Sequence, residues 1–232
     1  MMLGLGPQEW AALGLSLQVS LVATIVALPL ALWVAWILAR REFRGKIWLS
    51  ALVHLPLVLP PVVTGYLLLL VFGRRGAVGG FLEEVFGLVL AFRWTGAALA
   101  AGIMGFPLMV RAIRLAIEAV DPRLEAAAAT LGAGRVAVFG LVTLPLIMPG
   151  ILAGAMLGFA KAMGEFGATI TFVANIPGET QTLPSAIYAF LQVPGGEAAA
   201  LRLVGLSLVV AMAAVVISEI LARRVARRIA GI

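Results

Sequence analysis

Apolar residues in this chain come in long unbroken runs, and charge is confined to the gaps between them. Residues 11–39 carry no ionisable side chain, 47–73 carry only His54, 85–110 hold only Arg93, and 136–160 hold none. A shorter run, 203–218, extends to 198–222 around Arg202 and Glu219. A helix of about 20 apolar residues crosses a bilayer, so four runs suffice outright and the last completes a set of five. The expected fold class is all-α integral membrane, with five transmembrane helices at 11–39, 48–72, 87–112, 138–162 and 200–222. Together they make one membrane domain covering residues 1–232.

Punctuation within the runs adds detail. Pro56, Pro60, Pro61 and Gly65 fall in the second run, and proline removes a backbone donor and clashes with the preceding turn. That helix must start late, kink or open there. Broken helices persist in a membrane where protein or water satisfies the freed backbone groups, which suits a helix facing other helices or a pathway; a plain kink without a transport role fits as well. Residues 73–87 (GRRGAVGGFLEEVFG) predict a glycine-rich loop. The third run carries Gly96, Ala97, Ala98, Ala100, Ala101, Gly102 and Gly105, small residues that let helix backbones approach closely. Residues 166–197 contain no run long enough to cross, and predict short helices or a re-entrant piece around 183–191.

Composition agrees with this pattern. The chain is 62% hydrophobic and 12% charged, whereas roughly a quarter of residues are charged in soluble domains. Its net charge of +6 would suit nucleic acid, but the position of the cations argues for a membrane instead. Arg40, Arg41, Arg44 and Lys46 follow the first run; Arg111, Arg114, Arg123 and Arg135 lie between the third and fourth; Arg223, Arg224, Arg227 and Arg228 come last. With alternating spans, these 12 of 17 basic residues share one side, which the positive-inside rule makes cytoplasmic. The N-terminus is then expected outside and the C-terminus inside, in a bacterial or archaeal cell (inner) membrane. The last four arginines read as anchors against anionic lipid. No basic residue precedes Arg40, so the first run reads as a retained span rather than a cleaved signal. With no cysteine in the chain, neither disulfides nor thiolate metal sites can form.

The longest loop on the basic side, 118–136, predicts a short helix. Asp121 is a good N-cap and Pro122 suits the first helical position. Glu125 sits near the positive end of the helix dipole, and Gly132 or Gly134 can close the helix with a left-handed residue. Its body, residues 126–129, is all alanine. Such a thin helix builds no core of its own but can enter a groove on a partner; by its chemistry alone, an alanine-rich connector fits equally.

The segment resembles the EAA loop of ABC importer permeases: Glu125, Ala126 and Ala127, then Gly132 and Ala133, with Leu144-Pro145 ending thirteen residues beyond that glycine. LPLVLPPVVTGYLLLLVFGRRG (55–76) and AKAMGEFGATITF (160–172) look like the molybdate branch of that family, with the sulfate, thiosulfate and tungstate permeases as close relatives. The resemblance implies a type I importer permease fold in which Pro122–Gly134 docks on an ATPase subunit. It implies two copies of this chain, two ATPase subunits and an external substrate-binding protein around one pathway, moving an oxyanion by alternating access. ATP and Mg would be held by the ATPase, with no cofactor or metal on this chain. Pro60, Pro61, Thr64, Gly65, Glu165, Phe166, Gly167 and Thr169 would line or gate the pathway.

Individual residues are less decisive. Lys161 and Glu165, four apart on one helix face, can pair, as a structural tie or as part of a gate. The hydroxyls of Thr169 and Thr171 suit an oxyanion better than the Glu165 carboxylate does. His54, the sole histidine, reads as packed or interfacial rather than as a ligand. No phosphate-cradling Gly-x-x-x-x-Gly-Lys-Ser/Thr motif occurs, so the chain is not expected to hydrolyse ATP. Neither Gly-x-Ser-x-Gly nor His-Glu-x-x-His is present, which disfavours a membrane enzyme. A proton-coupled carrier would show several mid-membrane acids or histidines, and only Glu165 and His54 approach that description.

Overall fold

A computed structural model describes residues 4 and 6–230; beyond Ile220 only Arg224 is described with its side chain. The side chains of Arg223, Arg227 and Arg228, expected as lipid anchors, therefore fall outside the described ones. Among the described residues every regular element is helical: α1 (Pro7–Arg40), α2 (Lys46–Val58), α3 (Pro61–Phe72), α4 (Ala77–Phe86), α5 (Trp94–Glu118), α6 (Pro122–Thr130), α7 (Arg135–Val138), a π-helical turn (Phe139–Thr143), α8 (Leu144–Met163), α9 (Gly167–Val173), α10 (Leu183–Leu191) and α11 (Glu197–Ala230).

Among the described residues, four segments are long and apolar enough to cross a bilayer: α1, α5, the continuous stretch Arg135–Met163, and Glu197–Ile220 of α11. The second expected span, 48–72, is not one helix. It is the pair α2–α3, bent by 113°, and it makes a fifth span only as a broken one. The cause is local: Pro60 and Pro61 both lack the N–H that would continue the ladder of α2, so α2 ends at Val58 and α3 restarts with Pro61 in its first turn. Pro56, in contrast, is absorbed inside α2. The third span starts later and ends later than the expected 87–112. Most of the stretch 73–87, expected as a loop from its glycines, is the helix α4 (Ala77–Phe86), which closes on Gly87 in the left-handed conformation (φ 64°).

Helix α5 is the axis of the bundle. Of its apolar window 67% is buried, against 11% for α11, so α5 faces protein while α11 presents its sides outward. Its small residues allow this: Ala97, Ala100 and Ala101 are fully buried, packed with Val19 and Ala23 of α1, Ala162 of α8 and Phe172 of α9. Toward its other end Met109, Val110, Ile113 and Ile117 pack with Ala31, Val34 and Leu38 of α1 and with Ile147 and Ile151 of α8. Helix α8 meets α5 through Gly150, Gly154 and Gly158, one glycine every four residues. A Cβ on Gly150 would come within 2.2 Å of the Ala116 methyl, and one on Gly158 within 2.4 Å of Met109. Without the glycines the two backbones would have to separate.

At the end opposite the basic turns, Glu9 is buried, takes the backbone N–H of Gly6, and pairs with Arg202 at 2.9 Å. This ties the start of α1 to the start of α11. Leu183 donates its backbone N–H to Ser16 Oγ at 2.6 Å, which docks α10 on α1.

Candidate functional site

The loop helix α6 forms as its sequence dictates. Asp121 Oδ1 accepts the backbone N–H of Arg123 at 2.9 Å, and Pro122 occupies the first turn. At the far end Gly132 adopts φ 88°; its N–H bonds Ala129 O at 3.0 Å, and the N–H of Ala133 bonds Ala128 O at 3.2 Å. These paired bonds close a Schellman motif. No residue of α6 is buried; Ala126 and Ala127 are exposed.

Among the described residues, one side chain hydrogen-bonds this helix to the bundle. Glu125 Oε1 accepts from Arg40 Nη2 at 3.0 Å and from the Thr143 hydroxyl at 2.7 Å. Arg40 ends α1, and its guanidinium also lies 5.8 Å from the centre of the Trp36 ring; its Nε is buried without a hydrogen-bond partner. Thr143, fully buried, closes the π turn. That turn follows from Leu144-Pro145: proline supplies no N–H, and the Leu144 N–H reaches back five residues to Phe139 O. The expected coupling residues Pro122, Glu125, Ala126, Ala127, Gly132, Ala133, Leu144 and Pro145 thus lie along one continuous structure, from α6 through the π turn into α8. Arg40 and Thr143 belong with them. Nothing local in sequence points to the Arg40–Glu125 pair, which is 85 residues apart.

A second constellation gathers the expected pathway residues. Segments 60–65 and 165–169, a hundred positions apart, meet where α3 crosses α9. A Cβ on Gly65 would lie 2.4 Å from the Ala168 carbonyl oxygen, and one on Gly167 would lie 2.7 Å from Pro61. Two glycines and a proline therefore set this crossing. Glu165, 2% exposed, is held twice: Oε2 pairs with Lys161 Nζ at 2.8 Å, and Oε1 accepts the Ala168 backbone N–H at 2.9 Å. The carboxylate fixes the elbow between α8 and α9. Phe166 packs on Tyr188 of α10, ring centres 5.1 Å apart.

The hydroxyls differ in what they bond. Thr169 donates to Phe166 O at 2.9 Å and Thr171 to Gly167 O at 2.9 Å, so both are used within α9. Thr64 Oγ1, buried on α3, has no partner among the described residues. His54 Nδ1 contacts its own helix at Ser50 O, 2.7 Å away, and the side chain is half-buried.

Residues 27–229 match the family described as "Binding-protein-dependent transport system inner membrane component". The chain belongs to that family. As a member of it, this is a multi-pass inner-membrane transport protein, and its relatives are named permease proteins rather than ATPases. It is 59% identical to the molybdenum transport system permease protein ModB of Escherichia coli (strain K12) over 93% of this chain and 94% of that protein. It is 51% identical to ModB of Haemophilus influenzae over 95% and 96%. The sulfate transport system permease protein CysT of Salmonella typhimurium is 38% identical over 80% of this chain and 67% of its own length. Among solved structures, a bacterial ABC transporter that imports alginate matches with TM-score 0.74 at 18% identity, covering 94% of this chain and 80% of the other. The MetNI methionine ABC transporter in an inward-facing form matches with TM-score 0.68 at 14% identity, covering 94% of each chain. These solved structures are ABC importers, and this chain has the permease fold they share.

Proposed function

We propose that this chain is one permease half of an ATP-driven importer that carries molybdate inward. The observation that carries the reading is α6: a capped helix at both ends, with no residue buried, fixed to the bundle by a single carboxylate. A helix held so lightly gains its packing from another molecule, and an ATPase subunit is the partner that an importer of this family requires. Two ATPase subunits then dock on the α6 helices of two copies of this chain, and an external binding protein delivers the anion from the opposite side. Closing the ATPase pair on ATP shifts α6, and Glu125 passes that shift to Arg40 of α1 and Thr143 of the π turn. The permease contributes contacts that differ between inward- and outward-open states, which is all that coupling requires. In this reading α6 and the basic turns are cytoplasmic, and the start of α1 faces outward.

Molybdate is favoured over sulfate by the 59% identity to ModB against 38% to CysT. The α3–α9 crossing around Thr64, Gly65, Glu165 and Gly167 would be the narrow part of the pathway. Glu165 serves there as a structural anion, already neutralised by Lys161, rather than as a ligand for another anion. The deciding experiment is co-purification with a candidate ATPase, followed by uptake in vesicles with competing anions. The reading predicts ATP-dependent molybdate uptake that tungstate suppresses and excess sulfate does not. Suppression by sulfate would favour a sulfate or thiosulfate permease, and uptake without ATPase would make the chain a secondary carrier or channel.

A further inference from the structure

At the basic end a cavity of about 640 Å³ opens between α1, α6 and the stretch leading into α8. Its α1 wall runs from Pro29 through Trp33 and Trp36 toward Arg41 just past the helix end, about 17 Å along the axis from Pro29 to Arg40 at 1.5 Å per residue. One part of this wall lies inside the apolar run 11–39, the other in the basic turn. The apolar part is aromatic and held in place, since Trp36 meets Phe139 edge-on at 5.1 Å. At the polar part, Arg41 and Arg135 both line the cavity, both are exposed, and neither forms a salt bridge among the described residues. Glu125, the acid in the lining, is already engaged by Arg40 and Thr143. The polar end is therefore cationic, and the apolar end continues into the depth of the membrane.

We propose that this cavity binds one anionic phospholipid, its phosphate at Arg41 and Arg135 and an acyl chain along Trp33 and Trp36. Two features select a lipid over a protein segment. A polypeptide loop reaching down to Pro29 would bring unsatisfied backbone groups into the apolar layer. Two exposed cations lining one cavity with an aromatic, membrane-depth wall match an anionic headgroup joined to a hydrocarbon tail. The bound lipid would brace α1 against α6 beside the Glu125 tie. The inference rests on the membrane setting and is independent of which anion is carried.

The test uses the chain in phosphatidylcholine bilayers containing either brominated phosphatidylglycerol or brominated phosphatidylcholine, with tryptophan quenching as the readout. Phosphatidylglycerol is expected to quench in excess of phosphatidylcholine, and the excess should vanish in the Trp33→Phe/Trp36→Phe variant. Each guanidinium is worth about a fivefold preference for anionic lipid, so Arg135→Gln should lose about fivefold and Arg41→Gln/Arg135→Gln about twenty-five-fold. Both arginines are exposed, and unchanged far-ultraviolet dichroism would verify that these variants fold. Arg44→Gln, which removes a cation from the same turn outside the lining, should keep the excess. Equal quenching by the two lipids in the unaltered chain would overturn the proposal. So would an excess that survives the double arginine variant, or one that Arg44→Gln reduces as much.

Discussion

Glu125 shows how one atom position decides what a substitution does. Its carboxylate satisfies a charged guanidinium and a buried hydroxyl together, and removing an acceptor strands both donors, at about 1–3 kcal/mol for a buried group. Glu125→Ala is therefore expected to lower thermal stability measurably and to weaken the link between ATP hydrolysis and uptake. Glu125→Gln keeps an oxygen for Thr143 and should lose less of both; equal losses would argue that the Thr143 bond contributes nothing. Gly132 is a different case. Nothing lies within 4 Å of where its Cβ would be, but its φ of 88° is in the left-handed region. The cost of Gly132→Val is thus conformational, about 1–2 kcal/mol, and falls on the closing turn of α6. That variant should keep its spans folded by circular dichroism while uptake per ATP falls. The cap residues Asp121, Pro122 and Gly132 are legible in sequence because capping is local. The partners of Glu125 are not, since 85 and 18 residues separate them from it.

At the scale of elements, apolar run length predicts α1, α5, α8 and α11, because a bilayer demands it. Proline predicts that α2–α3 breaks, but a missing N–H says nothing about the resulting 113° bend, which is set by what α3 packs against. Helix α4 hides behind its glycines. Gly79 packs against the end of α3, where a Cβ would come within 2.1 Å of Gly73 O, so a residue that disfavours helix by propensity is required there by crowding. The glycine ladder of α8 (Gly150, Gly154, Gly158) is legible as a spacing of four, but that it faces Met109 and Ala116 of α5 is a tertiary fact. Two close approaches can be ranked. Gly65→Ala would press a methyl onto a backbone carbonyl at 2.4 Å, which cannot yield without parting α3 from α9; Gly158→Ala meets the Met109 side chain, which is flexible. Gly65→Ala is expected to abolish uptake or folding, and Gly158→Ala to cost about 1–3 kcal/mol in stability. A ranking the other way, read from melting temperature and uptake, would show that the α3–α9 crossing is loosely packed.

At the scale of the whole molecule, fold class and family were both legible, the first from run length and the second from the EAA-like loop. The α3–α9 crossing proposed as the narrow part of the pathway was half legible. Its two segments stand out by their Pro-Pro and Glu-Phe-Gly punctuation, but their meeting across α3 and α9 is a tertiary fact. Within it, Thr169 and Thr171 donate to the carbonyls of Phe166 and Gly167, local bonds that a spacing of three or four residues allows. The distribution of arginines predicts that a tag before α1 is cleaved by external protease and a tag after α11 is protected; the reverse pattern would invert every role given to α6. The central claim is that α6 is where the ATPase grips. The chain has no cysteine, so Ala127→Cys places a single thiol on the exposed face of α6. Crosslinking from this thiol to the co-expressed ATPase, with and without ATP, is the direct measurement. The account predicts a crosslink whose yield changes when ATP binds, and a thiol that never reaches the ATPase in a complex active in transport would contradict it.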